Sequence, residues 1–226
     1  MNAGPVHFTP DFFAFLRDLK RHNDRDWFAA NKERYVASVE APMLQFIRDV
    51  GERLPEISSQ YRADLRRFGG SLYRIYRDTR FSPDESPFKT YTAAHFRHRA
   101  STRDVETPGF YLRLGGGENY GGGGIYHPSM PTLTKIRQRI VSEPRAWDVV
   151  KKAGIQIEGA SLVRAPAGFD ANHRYIEDLR RKDFYAGVEF SEADVTAPGF
   201  IDRFMDCCRE TAPMVRFLTE SLGLRW

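Results

Sequence analysis

Residues 110–127 read Phe-Tyr-Leu-Arg-Leu-Gly-Gly-Gly-Glu-Asn-Tyr-Gly-Gly-Gly-Gly-Ile-Tyr-His, and this stretch decides the expected fold. Its two ends, 110–114 and 124–127, are short and rich in aromatic and branched aliphatic residues, a composition typical of β-strands. Strands this close in the chain pair in an antiparallel manner. The stretch therefore predicts two antiparallel strands joined across a glycine-rich segment.

Similar short patterns on both sides of this stretch predict further strands over 72–76, 91–98, 161–164 and 184–190. Apolar residues at helical spacing predict helices before and after them, over about 10–21, 26–54, 131–141, 147–150, 175–179 and 200–222, with Pro42 and Pro213 expected to break or kink their helices. We therefore predict an α+β fold with a mainly antiparallel sheet flanked by N-terminal and C-terminal helices. We expect residues 1–226 to form a single domain.

The composition is that of a soluble globular protein, with 41% hydrophobic and 28% charged residues. The N-terminus lacks a signal-like pattern, and we find no apolar run of about 18 residues. Cys207 and Cys208 are adjacent in a predicted helix, where bridging them to each other would strain the backbone, so we expect core residues in a reducing compartment. These features predict a cytoplasmic protein with no membrane partner.

The positive charge is concentrated in one part of the chain. The net charge is only +4, yet residues 62–103 carry ten Lys or Arg and four acids, a local charge of +6, while the remainder carries −2. A segment with this imbalance favours an anionic partner.

Within that segment, Arg74, Arg77, Arg80 and Lys89 surround one acid, Asp78. Guanidinium groups present several N–H donors in a planar fork that matches carboxylate or phosphate oxygens. The spacing predicts either a clamp for a small anionic or phosphorylated ligand or an internal network of salt bridges. In a clamp, Asp78 would orient the arginines, and it is one candidate for a catalytic residue.

The glycine-rich segment 115–124 is predicted to be mobile because glycine restricts the backbone least. It is expected to form either a plain hairpin tip or a lid that covers a ligand, with Gly117, Tyr120, Gly123 and Gly124 as the lid residues.

The histidines do not predict a metal site. His95 and His98 are three residues apart on a predicted strand and face opposite ways. His127 and His173 follow turns, and either is a candidate proton shuttle if it folds beside the arginines. The chain has no phosphate-binding loop, dinucleotide fingerprint or Gly-x-Ser-x-Gly motif, so we predict neither a cofactor nor nucleophilic hydrolysis.

Two alternatives to a small-ligand site stay open. Aromatic residues are interleaved with the basic ones, as in surfaces that bind nucleic acid: Tyr73, Tyr76, Phe81, Phe88, Tyr91 and Phe96. The same rings also suit the core of a sheet, which leaves an interaction protein whose arginines form internal salt bridges as a third interpretation.

The chain resembles the bacterial DUF2461 family over nearly its whole length. The resemblance rests first on an Arg-x-x-Arg-Asp-x-Arg-Phe segment at 74–81 followed by Lys89. Further matches are Trp27-Phe28 with Asn31 and Tyr35, residues 108–111, residues 123–126 with Pro128, and Pro166 with Gly168-Phe169. The resemblance implies that the Arg/Asp segment is the candidate site, and it implies no particular activity.

Overall fold

The structure is a computed structural model that describes residues 4–80, 82–102 and 105–226. Its centre is a five-stranded antiparallel sheet in which the strands follow one another in chain order. The strands are β1 (Tyr61–Arg62), β2 (Tyr91–His98), β3 (Gly109–Gly115), β4 (Tyr120–Ile125) and β5 (Phe184–Glu189). Phe81 and Arg103, both part of the basic segment, lie outside the described residues.

Helices precede and follow the sheet, so the predicted α+β fold is confirmed. The N-terminal helices are α1 (Pro10–Arg21), α2 (Arg25–Ala30), α3 (Lys32–Tyr35) and α4 (Ala41–Arg53), with a π-helical turn at Val36–Glu40 and a 3₁₀ turn at Leu54–Glu56. The later helices are α5 (Met130–Ser142), α6 (Pro144–Lys152), α7 (Ile176–Arg180), α8 (Glu192–Thr196) and α9 (Phe200–Ser221). No helix in the described ranges is long and apolar enough to cross a bilayer.

Helix α1 has the bounds that its sequence predicts. Thr9 is the N-cap residue in an extended conformation and Pro10 is the first helical residue, where its missing N–H costs nothing. Pro42 does not break the second helical segment. It lies in the first turn of α4, directly after the π-helical turn. The irregular hydrogen bonding of that turn accommodates a proline, which has no backbone N–H to donate.

The helices pack on one face of the sheet. Phe96, Phe110 and Leu112 alternate onto this core face and are fully buried in a cluster with residues of α1, α4 and α9. Helix α9 lies directly over β4, where Cys207 Sγ approaches the carbonyl oxygen of Gly121 at 3.0 Å. Burial raises the pKa of the Cys207 thiol to about 12, in keeping with its predicted place in the core.

The prediction that 115–124 is one mobile loop is wrong for residues 120–124, which form β4 between β3 and β5. Glycine is required there by close packing. A Cβ on Gly123 would lie 2.7 Å from the Val215 side chain of α9, and one on Gly122 would overlap the carbonyl oxygen of Ala186 in β5. Only the turn after Gly115 keeps the predicted hairpin role, with positive φ at Gly116 and Gly117.

Two segments that were predicted as strands form only isolated β-bridges. Residues 72–76 contribute only the pairs of Leu72 with Ala94 and of Tyr76 with Phe88, and 161–164 contribute only the pair of Ser161 with Arg181. The first segment lies beside β2, beyond the end of the two-residue strand β1. Its sequence is suited to a strand, but it has a neighbour on one side only.

We expect Gly122→Ala to lower the free energy of unfolding by about 3 kcal/mol or more, because the added methyl group meets the backbone of β5, which cannot rotate away. Gly168→Ala is the matched control. Its methyl group enters open space, and only the left-handed backbone conformation, with φ of 85°, costs about 1–2 kcal/mol. Urea denaturation measures both variants, and equal losses would contradict the close approach of β4 and β5.

Candidate functional site

The face of the sheet opposite the helices is polar. On β2, His95 and Arg97 alternate onto this open face, and on β3 Tyr111 and Arg113 do the same; all four side chains are only half-buried. The open face therefore carries the polar and charged side chains of the central strands.

Two arginines face each other across the edge of this sheet. Arg62 of β1 is the direct antiparallel partner of Arg97 of β2, so their side chains lie on the same face. Neither guanidinium forms an ion pair with a carboxylate among residues 4–80, 82–102 and 105–226. Like charges placed directly opposite in a sheet are destabilising. Hydrogen bonds from Arg66 and, after the charge of Arg66, the charge of Arg62 lower the pKa of the nearby Asp64, but the pair concentrates positive charge without an ion pair of its own in the described part of the chain.

A cavity of about 330 Å³ opens beside this pair. Three arginines, one aspartate, three hydroxyl side chains, a histidine and the backbone of two glycines line it: Arg62, Asp64, Arg66, Gly69, Gly70, Ser71, His95, Arg97, Ser101 and Thr102. The carboxylate of Asp64 is already occupied, because it accepts hydrogen bonds of 2.9 Å from Nε and 2.6 Å from Nη2 of Arg66. We call this space the basic cavity.

The loop 64–71 closes one side of the basic cavity. Ser71 N donates to the carbonyl oxygen of Asp64 at 2.7 Å, and Asp64 N donates to Ser71 Oγ at 3.0 Å. These reciprocal bonds join the two ends of the loop, and Gly69 adopts the positive φ of 72° that its turn requires. The loop is therefore held as a closed unit at the cavity.

Among the ionisable side chains that line the basic cavity, His95 is the neutral one. Arg97 Nε donates to His95 Nδ1 at 3.2 Å, so the ring proton of neutral His95 lies on Nε2, and the Tyr73 hydroxyl lies 3.4 Å from the same Nδ1. Burial, and next the charge of Arg97, lower the pKa of His95 to about 3. The ring fits against β3 because Gly109 has no side chain; a Cβ there would overlap Nε2.

Arg74 and Lys89 extend the positive surface from the other side of Tyr73. Lys89 Nζ donates to the carbonyl oxygen of Arg74 at 2.9 Å and lies 5.6 Å from the centre of the Tyr73 ring. The Arg97 guanidinium lies 5.9 Å from the same ring centre. Burial, and next the charge of Arg74, lower the pKa of Lys89. Tyr73 thus joins this pair to the basic cavity.

The other members of the predicted Arg/Asp cluster pair locally. Asp78 forms a bidentate ion pair with Arg80, with bonds of 2.9 and 2.7 Å, and the hydrogen bonds from Arg80 lower the pKa of Asp78 to about 2. This pair is exposed, at 44% for Asp78 and 75% for Arg80. The Arg77 guanidinium instead contacts Asp84 and Ser82. Asp78 therefore orients Arg80, and Arg77 and Arg80 do not line the basic cavity.

The segment that carries these residues is a hairpin-like turn fixed on the N-terminal helices. Phe88 stacks on Phe28 of α2 with ring centres 4.1 Å apart, and the side chain of Asn23 hydrogen-bonds both the N–H and the carbonyl of Phe88. This anchor sets where Arg74 and Lys89 enter the site.

The predicted proton shuttles lie at other places. His127 follows β4 with a positive φ of 48°, and its Nδ1 lies 3.2 Å from the buried carboxylate of Asp183. His173 Nδ1 accepts a hydrogen bond from Tyr175 N at 3.1 Å. Neither lines the basic cavity.

The sequence did not single out Arg62, Arg97 and His95 as site residues. Two-residue alternation along β2 would have placed His95 and Arg97 on one face, but nothing in the sequence shows that β1 brings Arg62 opposite Arg97. Among the described residues, no group of three or more His, Cys, Asp or Glu could hold a metal ion.

Fold and site together define an α+β protein with a helix-covered core face and a basic, open sheet face. A family model described as "Conserved hypothetical protein (DUF2461)" matches residues 11–217, and the chain therefore belongs to the DUF2461 family. Searches of curated proteins and of solved structures found no match.

The low pKa of His95 predicts a pH dependence of stability. The folded protein keeps His95 neutral down to about pH 3, whereas the unfolded chain protonates it below about pH 6.5, so stability falls as the pH falls between these values, by at most about 1.4 kcal/mol per pH unit. Chemical denaturation from pH 7.5 to 4 should therefore show a shallower slope for His95→Gln than for wild type. The exposed His22→Gln is the control, and an unchanged slope in His95→Gln would contradict this environment for His95.

Proposed function

We propose that this protein binds a small anionic ligand, bearing a phosphate or a carboxylate group, in the basic cavity. The observation that carries the proposal is the direct cross-strand pairing of Arg62 with Arg97 without a carboxylate partner in the described part of the chain. An anion between the two guanidinium groups would turn their repulsion into two charge-assisted contacts.

The lining of the cavity suits such a ligand. Ser71 and Ser101 add hydroxyl groups that donate to an anion, and Arg66 is already held in place by Asp64. Neutral His95 accepts a hydrogen bond from Arg97 and so helps to hold that guanidinium in place without repelling it. The lining has three arginines and neutral donors against one carboxylate, Asp64, which is paired with Arg66, and this excess of positive charge favours an anion over a cation.

Arg74 and Lys89, two of the predicted ligand-binding residues, belong to the same proposal. They continue the positive surface across Tyr73 and would meet a ligand that extends beyond the cavity. Arg77 and Arg80 have carboxylate partners of their own, so we assign them to the structure of the turn that presents Arg74 and Lys89.

Calorimetric titration with phosphate, citrate and sugar phosphates tests the proposal. Losing one charge-assisted hydrogen bond costs about 1.5–3 kcal/mol, so Arg97→Gln should weaken binding by about 10- to 150-fold. Arg80→Gln removes a guanidinium of equal charge outside the cavity and should change the affinity less than twofold. Equal losses in both variants, or no binding by wild type, would contradict an anion site at Arg62 and Arg97.

Stability provides an independent check. In a buffer with few small anions, Arg62→Gln should be at least as stable as wild type, because it removes the repulsion from Arg97. Added phosphate should then raise the melting temperature of wild type and leave that of Arg62→Gln unchanged. A strongly destabilised Arg62→Gln variant in both buffers would instead show that Arg62 holds the fold together.

A further inference from the structure

Phe68 is a large apolar side chain that the fold leaves in solvent. It is 83% exposed, while most aromatic side chains in the described ranges are buried or half-buried. Its described ring contact is with its neighbour Arg67, whose guanidinium lies 5.6 Å from the ring centre. A phenylalanine left in solvent lacks the stabilisation of about 2 kcal/mol that its burial would provide, so Phe68 has no role in the core.

The position of Phe68 is set by the loop that borders the basic cavity. Arg66 precedes it and Gly69 follows it, and both line the cavity. Hydrogen bonds between Asp64 and Ser71 close the loop, so the backbone of Phe68 is fixed between Arg66 and Gly69 at the border of the cavity, although Phe68 is not itself in the lining. One short loop therefore carries an exposed aromatic ring and two neighbouring arginines beside the basic cavity.

We propose that the anionic ligand is a nucleotide whose phosphate occupies the basic cavity and whose base stacks on Phe68; this inference rests on the proposed function. Every nucleobase has a flat face that stacks on an aromatic side chain, and a nearby arginine adds a cation–π contribution. The cavity, at about 330 Å³, is at the small end of ligand pockets and suits the phosphate and sugar, which leaves the base at the rim.

The charge around Phe68 favours this ligand over a lipid surface. The neighbouring exposed apolar side chain on the loop is Leu65, at 40%. Two side chains do not form the broad apolar face with which proteins enter a membrane interface. The arginines of the same loop instead match the phosphate of the group that would stack on the ring.

The test compares ribose 5-phosphate, which has the phosphate and sugar alone, with AMP and UMP. Wild type should bind the nucleotides about tenfold or more tightly than ribose 5-phosphate, because stacking on an aromatic side chain adds about 1–3 kcal/mol per base. Phe68→Ala should remove this advantage and leave the affinity for ribose 5-phosphate unchanged, and Phe68→Leu should lose most of it. Val163→Ala, at a side chain 92% exposed elsewhere, is the matched control and should change nothing.

The outcomes distinguish a failure of the nucleotide inference from a failure of the proposed anion site. If ribose 5-phosphate binds as tightly as the nucleotides and Phe68→Ala has no effect, the nucleotide inference is overturned and the anion site stands. If neither binds and Arg97→Gln changes nothing, both are overturned.

Two further arms identify the source of the nucleotide. Tighter binding of a short single-stranded oligonucleotide than of AMP, with a steep dependence on salt, would assign the site to a nucleic-acid strand and support base stacking. Phe68-dependent binding to anionic phosphatidylserine vesicles without nucleotide selectivity would overturn the inference in favour of a membrane surface.

Discussion

The tight packing of strand β4 is the constraint on which the rest of the structure depends. Its four consecutive glycines lie between helix α9 on the core face and strand β5 at its side, and neither neighbour leaves room for a Cβ at Gly122 or Gly123. Helix α9 can therefore lie directly on the strand. Because the large apolar side chains of the central strands, such as Phe96, Phe110 and Leu112, lie under the helices, the opposite face of these strands is left to polar residues.

The open face acquires its chemistry from how the edge of the sheet is built. Strand β1 is only two residues long, yet it places Arg62 opposite Arg97, and the chain then returns as the closed loop 64–71 to border a cavity beside them. Gly109 lets the His95 ring lie against β3, where burial keeps it neutral. Fixed cations and a neutral imidazole in one small space are suited to holding an anion, which is the function we propose.

Much of the fold could be predicted from the sequence because its signals are local. The bounds of α1 follow from Thr9, Pro10 and the apolar spacing, and those of β2 follow from aromatic residues bounded by turns. Of strand β4 only the end was recognised, in the strand predicted over 124–127. Residues 120–123 were missed, since glycine carries no pattern of polar and apolar residues, and the partner strand Phe184–Glu189 lies far along the chain.

The candidate site was predicted only in outline. The charge count located the basic segment, Arg74 and Lys89 do lie together, and Asp78 pairs with Arg80 of the expected cluster, but Arg77 pairs with Asp84 outside it. The pairing of Arg62 with Arg97 depends on strand register, which one residue of slippage would abolish. The exposure of Phe68 likewise depends on how its loop closes, which the sequence does not predict.

The most direct test of the central claim is a crystal structure of the protein soaked in selenate, a phosphate-like dianion whose selenium gives an anomalous signal. We predict an anomalous peak between the guanidinium groups of Arg62 and Arg97, within hydrogen-bond distance of both. A carboxylate of the protein itself lying between the two arginines, with selenate bound elsewhere or absent, would contradict the claim.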